Sequence, residues 1–417
     1  MRVLTHIIFC ATLLFMGISA ALTTPSYADS FEDGLAAYQQ GDYELAGRKF
    51  RKAADQGHAE AMYNLGVMYT RGIGTEQDFY QAAMWFSKAA GQGSTGAQYN
   101  LAMMYAKGMG VKQDFARAVQ LYRPIADHGL AEAQNNLGSM YENGQGVPQD
   151  YKMALSWYRK AAQQGLAMAQ YNLAIMYAHG VGTPQDLKQA ASWYLKAAEQ
   201  GNAMAQNNLG LMYDSGNSVE QNYSIAAQWY RRAAEQNFAG AQLNLGRLYE
   251  KGLGVPQNYS QAAQLYMKAA EQGLVKAQHD MALMYAKGLG VPQNDSHAVL
   301  WYLTAAEQGY ALSQYNLGLM FDNGQGVKQD HARAAHWYLK AAKQGIPEAQ
   351  YNIGAMYENG QGVPQDDIQA YMWFTLSAAR GIKQAIKSRS RLKNRMTQSE
   401  INEALELADK WQPPRDQ

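Results

Sequence analysis

The sequence predicts an all-α fold, an α-solenoid of stacked antiparallel helix pairs, on three observations. Nearly the same helix-like segment returns nine times at intervals of 36 residues: AMYNLG (61–66), AQYNLA (97–102), AQNNLG (133–138), AQYNLA (169–174), AQNNLG (205–210), AQLNLG (241–246), AQHDMA (277–282), SQYNLG (313–318) and AQYNIG (349–354). No insertion breaks that register, as in repeat architectures, where each unit buries its apolar face only against its neighbours. A glycine-rich connector, typified by GQGVPQD at 144–150, separates two apolar stretches in each unit and ends in Asp or Asn.

From the N-terminus, residues 1–28 read as a secretory signal that ends the mature chain's lead at Asp29. Arg2 supplies the positive region, an apolar stretch runs from about Val3 to Ile18, and Ser26-Tyr27-Ala28 offers small residues for cleavage, with a cut after Ala20 or a retained anchor as alternatives. The single cysteine, Cys10, falls inside this segment, so the mature chain has no disulfide, thiolate metal site or cysteine nucleophile. Later stretches are too polar to span a bilayer. The expected location is periplasmic or secreted.

Residues 29–56 read as a shorter N-terminal capping helix pair, in which Gly41-Asp42 replaces the long connector. Residues 57–380 hold nine repeats. In the second, a first helix spans roughly Ser94–Lys107, and a second runs from Phe115 to about His128. First helices carry apolar residues at helical spacing, such as Ala61, Leu65, Met68 and Tyr69, and second helices do so with Ala82, Phe86, Ala89 and Ala90. Pro124 lies inside a second helix, where it predicts a kink or an early end.

The connector reads as punctuation. Gly144 closes the first helix with positive φ, Pro148 cannot continue it, and Asp150 caps the second. The capping position is Asp78, Asp114, Asp150, Asp186, Asn222, Asn258, Asn294, Asp330 and Asp366. Capping also accounts for the Asn-x-Ser triplets at Asn222, Asn258 and Asn294. A phosphate-cradling loop needs a preceding strand and a lysine after its last glycine, and neither is present. The fifth copy, GNSVEQN (216–222), has Ser218 in place of the second glycine and is expected to turn differently.

The run Leu65-Gly66-x-x-Tyr69 followed by Ala82-x-x-x-Phe86 matches the tetratricopeptide core. The 36-residue period, the G-x-G-V-x-Q-D connector and the ending W-Y-x-K-A-A-x-Q-G resemble the Sel-one-like repeat (SLR) family, a tetratricopeptide relative, over residues 57–380. The C-terminal run from Tyr371 to Trp411 resembles the closing segment of bacterial members. The resemblance implies a right-handed superhelix whose first helices line a concave face, and an adaptor that binds other macromolecules. One cysteine-rich branch of the family is linked to weak β-lactamase activity, and this chain lacks that branch's paired cysteines.

Four columns of the repeat carry distinct chemistry. Gly66 and its equivalents, all Gly or Ala, read as sites of close helix approach. Trp85, Trp157, Trp193, Trp229, Trp301, Trp337 and Trp373, each followed by an aromatic, read as core, with sugar stacking as the functional alternative. A third column is Asn64, Asn100, Asn136, Asn172, Asn208, Asn244, Asp280, Asn316 and Asn352. Asparagine is a poor helix former, so its recurrence requires a reason. Either each amide tethers a neighbouring repeat or loop, or the column bonds the backbone of an extended peptide on the concave face. Beside it run Tyr63, Tyr99, Tyr171, Tyr315 and Tyr351, with Asn135, Asn207, Leu243 and His279 at the remaining positions. Tyrosine suits a contact surface.

The other function classes find little support. A formal charge of +1, from 36 basic and 35 acidic residues, gives no electrostatic case for nucleic acid. No catalytic constellation, metal-ligand spacing or cofactor motif stands out; His331 and His336 do not share a helix face. Residues 381–412 read as C-terminal capping helices and 413–417 as a tail. Arg380 to Arg395 carries seven basic residues and no acidic one, and Thr397 to Glu400 reads as a capping box opening an acidic helix. Either these segments offset each other, or the basic one docks an anionic partner. The expectation is an exported, non-enzymatic scaffold binding a polypeptide. The alternatives are a carbohydrate-binding protein of exopolysaccharide or peptidoglycan handling, and a cell-wall hydrolase.

Overall fold

The computed structural model describes the backbone of residues 25–411, all of whose regular elements are α-helices. The signal expected at residues 1–28 falls outside the described residues except at its last positions, where the first helix has begun; the tail at 413–417 also lies outside them. The described residues divide within one helix into two compact units, one up to residue 205 and one from residue 206. The first contains α1 (Pro25–Gln39), α2 (Tyr43–Asp55), α3 (Ala59–Arg71), α4 (Phe79–Gly91), α5 (Thr95–Lys107), α6 (Phe115–Asp127), α7 (Ala131–Asn143), α8 (Tyr151–Gln163), α9 (Ala167–His179) and α10 (Leu187–Glu199). After α11 (Ala203–Ser215), the second contains α12 (Tyr223–Glu235), α13 (Ala239–Lys251), α14 (Tyr259–Glu271), α15 (Val275–Lys287), α16 (Asp295–Glu307), α17 (Ala311–Asn323), α18 (His331–Lys343), α19 (Pro347–Asn359), α20 (Asp367–Ala379), α21 (Lys383–Lys393) and α22 (Gln398–Lys410). Within each unit consecutive helices pack pair upon pair, from α1 to α10 and from α12 to α21, with α22 lying against α20, which is the layering of a helical-repeat solenoid.

The connectors behave as helix punctuation, and every recurring residue in them has a structural task. Gly144 adopts φ 66° and closes α7. Asp150 accepts from the backbone N–H groups of Lys152 and Met153. Gln149, between them, donates from Nε2 to the Glu142 carbonyl at 2.7 Å and so satisfies a last-turn acceptor that the helix leaves open. The second glycine, Gly146, has φ 71°, and a Cβ there would lie 2.4 Å from the Phe115 carbonyl, so the loop tip sits on the first residue of the preceding second helix. Gly74 meets Tyr43 in the same way, and Gly290 meets Tyr259.

One local expectation fails, and the early helix end expected at Pro124 does not occur. Ser218 does not turn differently: it holds φ 65°, within the left-handed region used by the glycines it replaces. Packing of the flanking helices therefore imposes the conformation on a residue that disfavours it. Pro124 does not shorten its helix either, since α6 ends at Asp127 like its counterparts. The proline is exposed, so water can solvate the carbonyl it orphans, while buried Tyr122, Ile125 and Ala126 hold the turn in place.

The core repeats with the sequence. A Cβ on Gly66 would lie 2.5 Å from the Phe86 ring, and one on Gly138 would lie 2.9 Å from the Tyr158 ring, so this column does mark close helix approach. Trp85, Trp157, Trp337 and Trp373 are buried, and Lys88, Lys160 and Lys340 lie over the first three rings. The indole N–H groups of Trp85, Trp157 and Trp373 have no hydrogen-bond partner among the described residues.

The two ends do not neutralise one another. Arg391 pairs with Glu358 at 2.7 Å and Arg395 with Asp367 at 2.6 Å, both acids belonging to the last repeat. Two of the four acids of α22 are used locally: Glu400 completes the capping box with Thr397, and Glu406 pairs with Lys410. The reason is packing, because α21 and α22 each lie chiefly against α20.

Candidate functional site

The two columns proposed from sequence lie side by side on the first helices, and the helical spacing keeps them on one face through each unit. In the first unit the row is Tyr63–Asn64, Tyr99–Asn100, Asn135–Asn136 and Tyr171–Asn172. In the second it is Asn207–Asn208, Leu243–Asn244, His279–Asp280, Tyr315–Asn316 and Tyr351–Asn352. Every member of the asparagine column, Asp280 included, is half-buried, and so are Tyr63, Tyr99, Tyr171, Tyr315 and Tyr351.

The amides reach back one repeat. Asn136 donates from Nδ2 to the hydroxyls of Tyr99 and Tyr122, each at 3.2 Å. Asn172 donates to Asn135 Oδ1 at 3.0 Å, and Asn244 to Asn207 Oδ1 at 3.0 Å. Asn100 bonds Tyr63, and Asn352 bonds Tyr315. The rule is that residue n engages residue n − 37, so the asparagine column and its variable neighbour are tied pairwise within each unit. An asparagine amide carries two donors and one acceptor oxygen. Each tie of Asn172 and Asn244 uses one of the two N–H groups, and the other N–H and the Oδ1 have no partner among the described residues.

Asp280 breaks the rule. Its counterpart at n − 37 is Leu243, which offers no polar atom, and a carboxylate has no N–H to give. Burial, with Glu250 adding to it, raises its pKa to about 6. Next to it His279 is buried, its Nδ1 2.9 Å from Ser313 Oγ, and burial lowers its pKa to about 4.

A second network escapes a reading by columns. Six glutamines that precede the asparagine column by two residues, Gln134, Gln170, Gln206, Gln242, Gln278 and Gln314, are each bonded by the glutamine that closes a second helix 30 residues later. Gln164 donates to Gln134 Oε1 and Gln200 to Gln170 Oε1, both at 2.8 Å; Gln272, Gln308 and Gln344 do the same to Gln242, Gln278 and Gln314 at 2.7 Å. Gln134 and Gln170 in turn donate to the carbonyls of Ala126 and Ala162 in the preceding second helix. The signal was present in sequence, as glutamines recurring at both positions. At Gln350 the closing residue is Arg380, which bonds the Gly345 carbonyl instead, and Gln350 Oε1 is left without a partner.

Among the described residues no group of three or more His, Cys, Asp or Glu side chains is placed to hold a metal ion, and no helix is long and apolar enough to cross a membrane. His331 lies 2.8 Å from Asp322 Oδ1, while His336 stacks edge-on against Trp337.

Comparison with known proteins places these repeats. The Sel1 repeat model matches ten consecutive segments, from residues 27–58 and 59–94 through to 347–382, so the N-terminal helix pair also matches as a repeat. A solved protective antigen of uropathogenic Escherichia coli strains, which displays an SLR fold, is 34% identical, covering 92% of this chain and 91% of its own, with a TM-score of 0.62. A Sel1 repeat protein from Oxalobacter formigenes is also 34% identical, covering 74% of this chain and 90% of its own, with a TM-score of 0.58. No curated protein matches significantly.

Proposed function

The chain belongs to the Sel1 repeat family, whose members are generally non-catalytic scaffolds, and on that premise we propose that it is an exported, non-enzymatic scaffold that holds a polypeptide partner along its first-helix row. The observation that carries this reading is the half-exposed polar row of asparagine and tyrosine. At Asn172 and Asn244 one N–H is spent between repeats, while the acceptor oxygen and the second N–H are left over. An extended polypeptide has backbone N–H groups to give at regular spacing, and the tyrosines beside the amides supply rigid contact area. Neither donor-rich sugars nor nucleic acid draws particular support: Trp85, Trp157, Trp337 and Trp373 are buried, half-buried Trp193 and Trp229 lie under Lys196 and Arg232, and the chain is nearly neutral.

The test is affinity of the purified chain for peptides selected from a displayed random library, alongside its melting temperature. Asn172→Ala and Asn244→Ala are each expected to weaken binding by about 0.5–1.5 kcal/mol in the folded fraction. They are also expected to lower the melting temperature, because each removes an inter-repeat bond. A lower melting temperature with unchanged affinity refutes the reading and leaves the column purely structural.

A further inference from the structure

A cavity of about 350 Å³ opens between α2, α3 and the first connector, lined by Glu44, Arg48, Arg51, Leu65, Met68 and Tyr69 together with Gly47, Gly74 and Thr75. The repeat itself explains why space exists here. At the position of Gly47 the other units carry Ala83, Val119, Leu155, Ala191, Ala227, Ala263, Val299, Ala335 and Tyr371. At the position of Thr75 all but one carry valine, and those at 111, 147, 291, 327 and 363 pack against the core. Here a glycine and a threonine stand in for two apolar side chains. A Cβ on Gly47 would meet only the Met68 methyl at 3.4 Å and the Gly74 carbonyl at 4.0 Å, so nothing in the packing forbids a larger residue.

The polar wall is equally particular. Arg51 is fixed: it donates to the Tyr69 hydroxyl and lies 5.1 Å from the Trp85 ring centroid. Arg48 is exposed and has no hydrogen-bond or ion-pair partner among the described residues, and no other unit has arginine or lysine at its position. Two guanidinium groups, one anchored and one free, thus flank an apolar floor of Leu65 and Met68, with an acid, Glu44, at the rim.

We propose that this cavity binds the C-terminal end of a polypeptide whose last residue is aliphatic. The guanidinium pair matches a terminal carboxylate, the floor left open by Gly47 takes the side chain, and Glu44 accepts the last backbone N–H. The acid discriminates against a simple fatty acid, which has a carboxylate and a tail but no N–H to offer a second anion. This site stands apart from the first-helix row and does not depend on it.

Calorimetric titration with acetyl-Ala-Leu bearing a free carboxylate is expected to saturate, and the C-terminal amide of the same peptide to bind at least about tenfold more weakly, as loss of a charged hydrogen-bond partner implies. Arg48→Ala is expected to weaken the acid form about tenfold with an unchanged melting temperature, because the residue is exposed and unpaired. Gly47→Val is expected to abolish binding with no loss of melting temperature, since Val119 and Val299 occupy the same place elsewhere. Equal binding of acid and amide, binding that survives Gly47→Val in the folded chain, or no saturation by the acid peptide overturns the proposal. Binding of 4-methylpentanoate as tight as that of the peptide also overturns it, in favour of a site for free carboxylic acids.

Discussion

Replacing Gly146 by alanine isolates the contact that sets the spacing of the repeats. Two effects act on the variant. The first is conformational: Gly146 holds φ 71°, where a non-glycine residue costs about 1–2 kcal/mol, partly offset by about 0.4–1 kcal/mol from a less flexible unfolded chain. The second is steric, because the new Cβ would sit 2.4 Å from both the carbonyl carbon and the oxygen of Phe115 and 2.7 Å from the Ala116 nitrogen. Backbone cannot swing aside as a side chain does, so the connector must lift off α6 at a cost of about 1–3 kcal/mol, as in overpacked cores. Gly165→Ala supplies the control within the same unit. Its φ is 93°, but a Cβ there meets nothing within 4 Å, so it reports the conformational effect alone. Urea unfolding of the full chain, with hydrogen exchange followed across α6 to α8, should place Gly146→Ala about 1–3 kcal/mol below Gly165→Ala, with exchange accelerated at the α6 N-terminus. Equal destabilisation by the two substitutions would refute the idea that connector docking contributes to stability.

Three further outcomes follow from buried polar groups. The pKa of Asp280 is about 6, above its ordinary value, so the unfolded chain ionises first as pH rises and stability is lost between about pH 4 and pH 6. Asp280→Asn should therefore stabilise the chain by about 1–2 kcal/mol at pH 7 and by little at pH 4, read from urea midpoints; an equal gain at both values contradicts this. Gln170→Ala removes the acceptor of Gln200 and one of the donors to the Ala162 carbonyl, which keeps the Gly165 N–H; losing these two bonds should cost about 1–3 kcal/mol in the same assay, and a neutral outcome would show the glutamine pairs to be incidental. Trp157→Phe deletes an N–H that has no partner and should cost no more than about 1.5 kcal/mol, against about 3–5 kcal/mol for Trp157→Ala; a similar loss in both would mean that the N–H is satisfied.

Much of this architecture is legible in sequence because the repeat presents each position many times. Glycine closing a first helix and Asp or Asn opening a second have one physical reason each, and the helices begin and end within a residue of where those signals place them. What escaped depends on tertiary neighbours. A glutamine at a helix end reads as a solvated polar residue until the partner 30 positions away is seen. Ser218 keeps a left-handed backbone that its own chemistry disfavours, and Pro124 sits in an intact helix because its face is wet. Arg391 and Arg395 ignore the nearby acidic helix for acids on the last repeat. In the candidate row the asparagine column was visible, but its direction was not, since only coordinates reveal that an N–H of Asn136, Asn172 and Asn244 turns back toward the preceding repeat while the oxygens of Asn172 and Asn244 are left over.

The central claim, that the first-helix row accepts backbone N–H groups of an extended polypeptide, is tested most directly by N-methyl scanning of a selected peptide. Methylating one backbone nitrogen at a time removes a single donor and leaves every side chain in place. The account predicts that a recurring subset of positions loses affinity by about 0.5–1.5 kcal/mol each, and that these losses shrink against Asn172→Ala and Asn244→Ala chains. A peptide that tolerates methylation at every position, or whose losses are the same against the substituted chains, contradicts it.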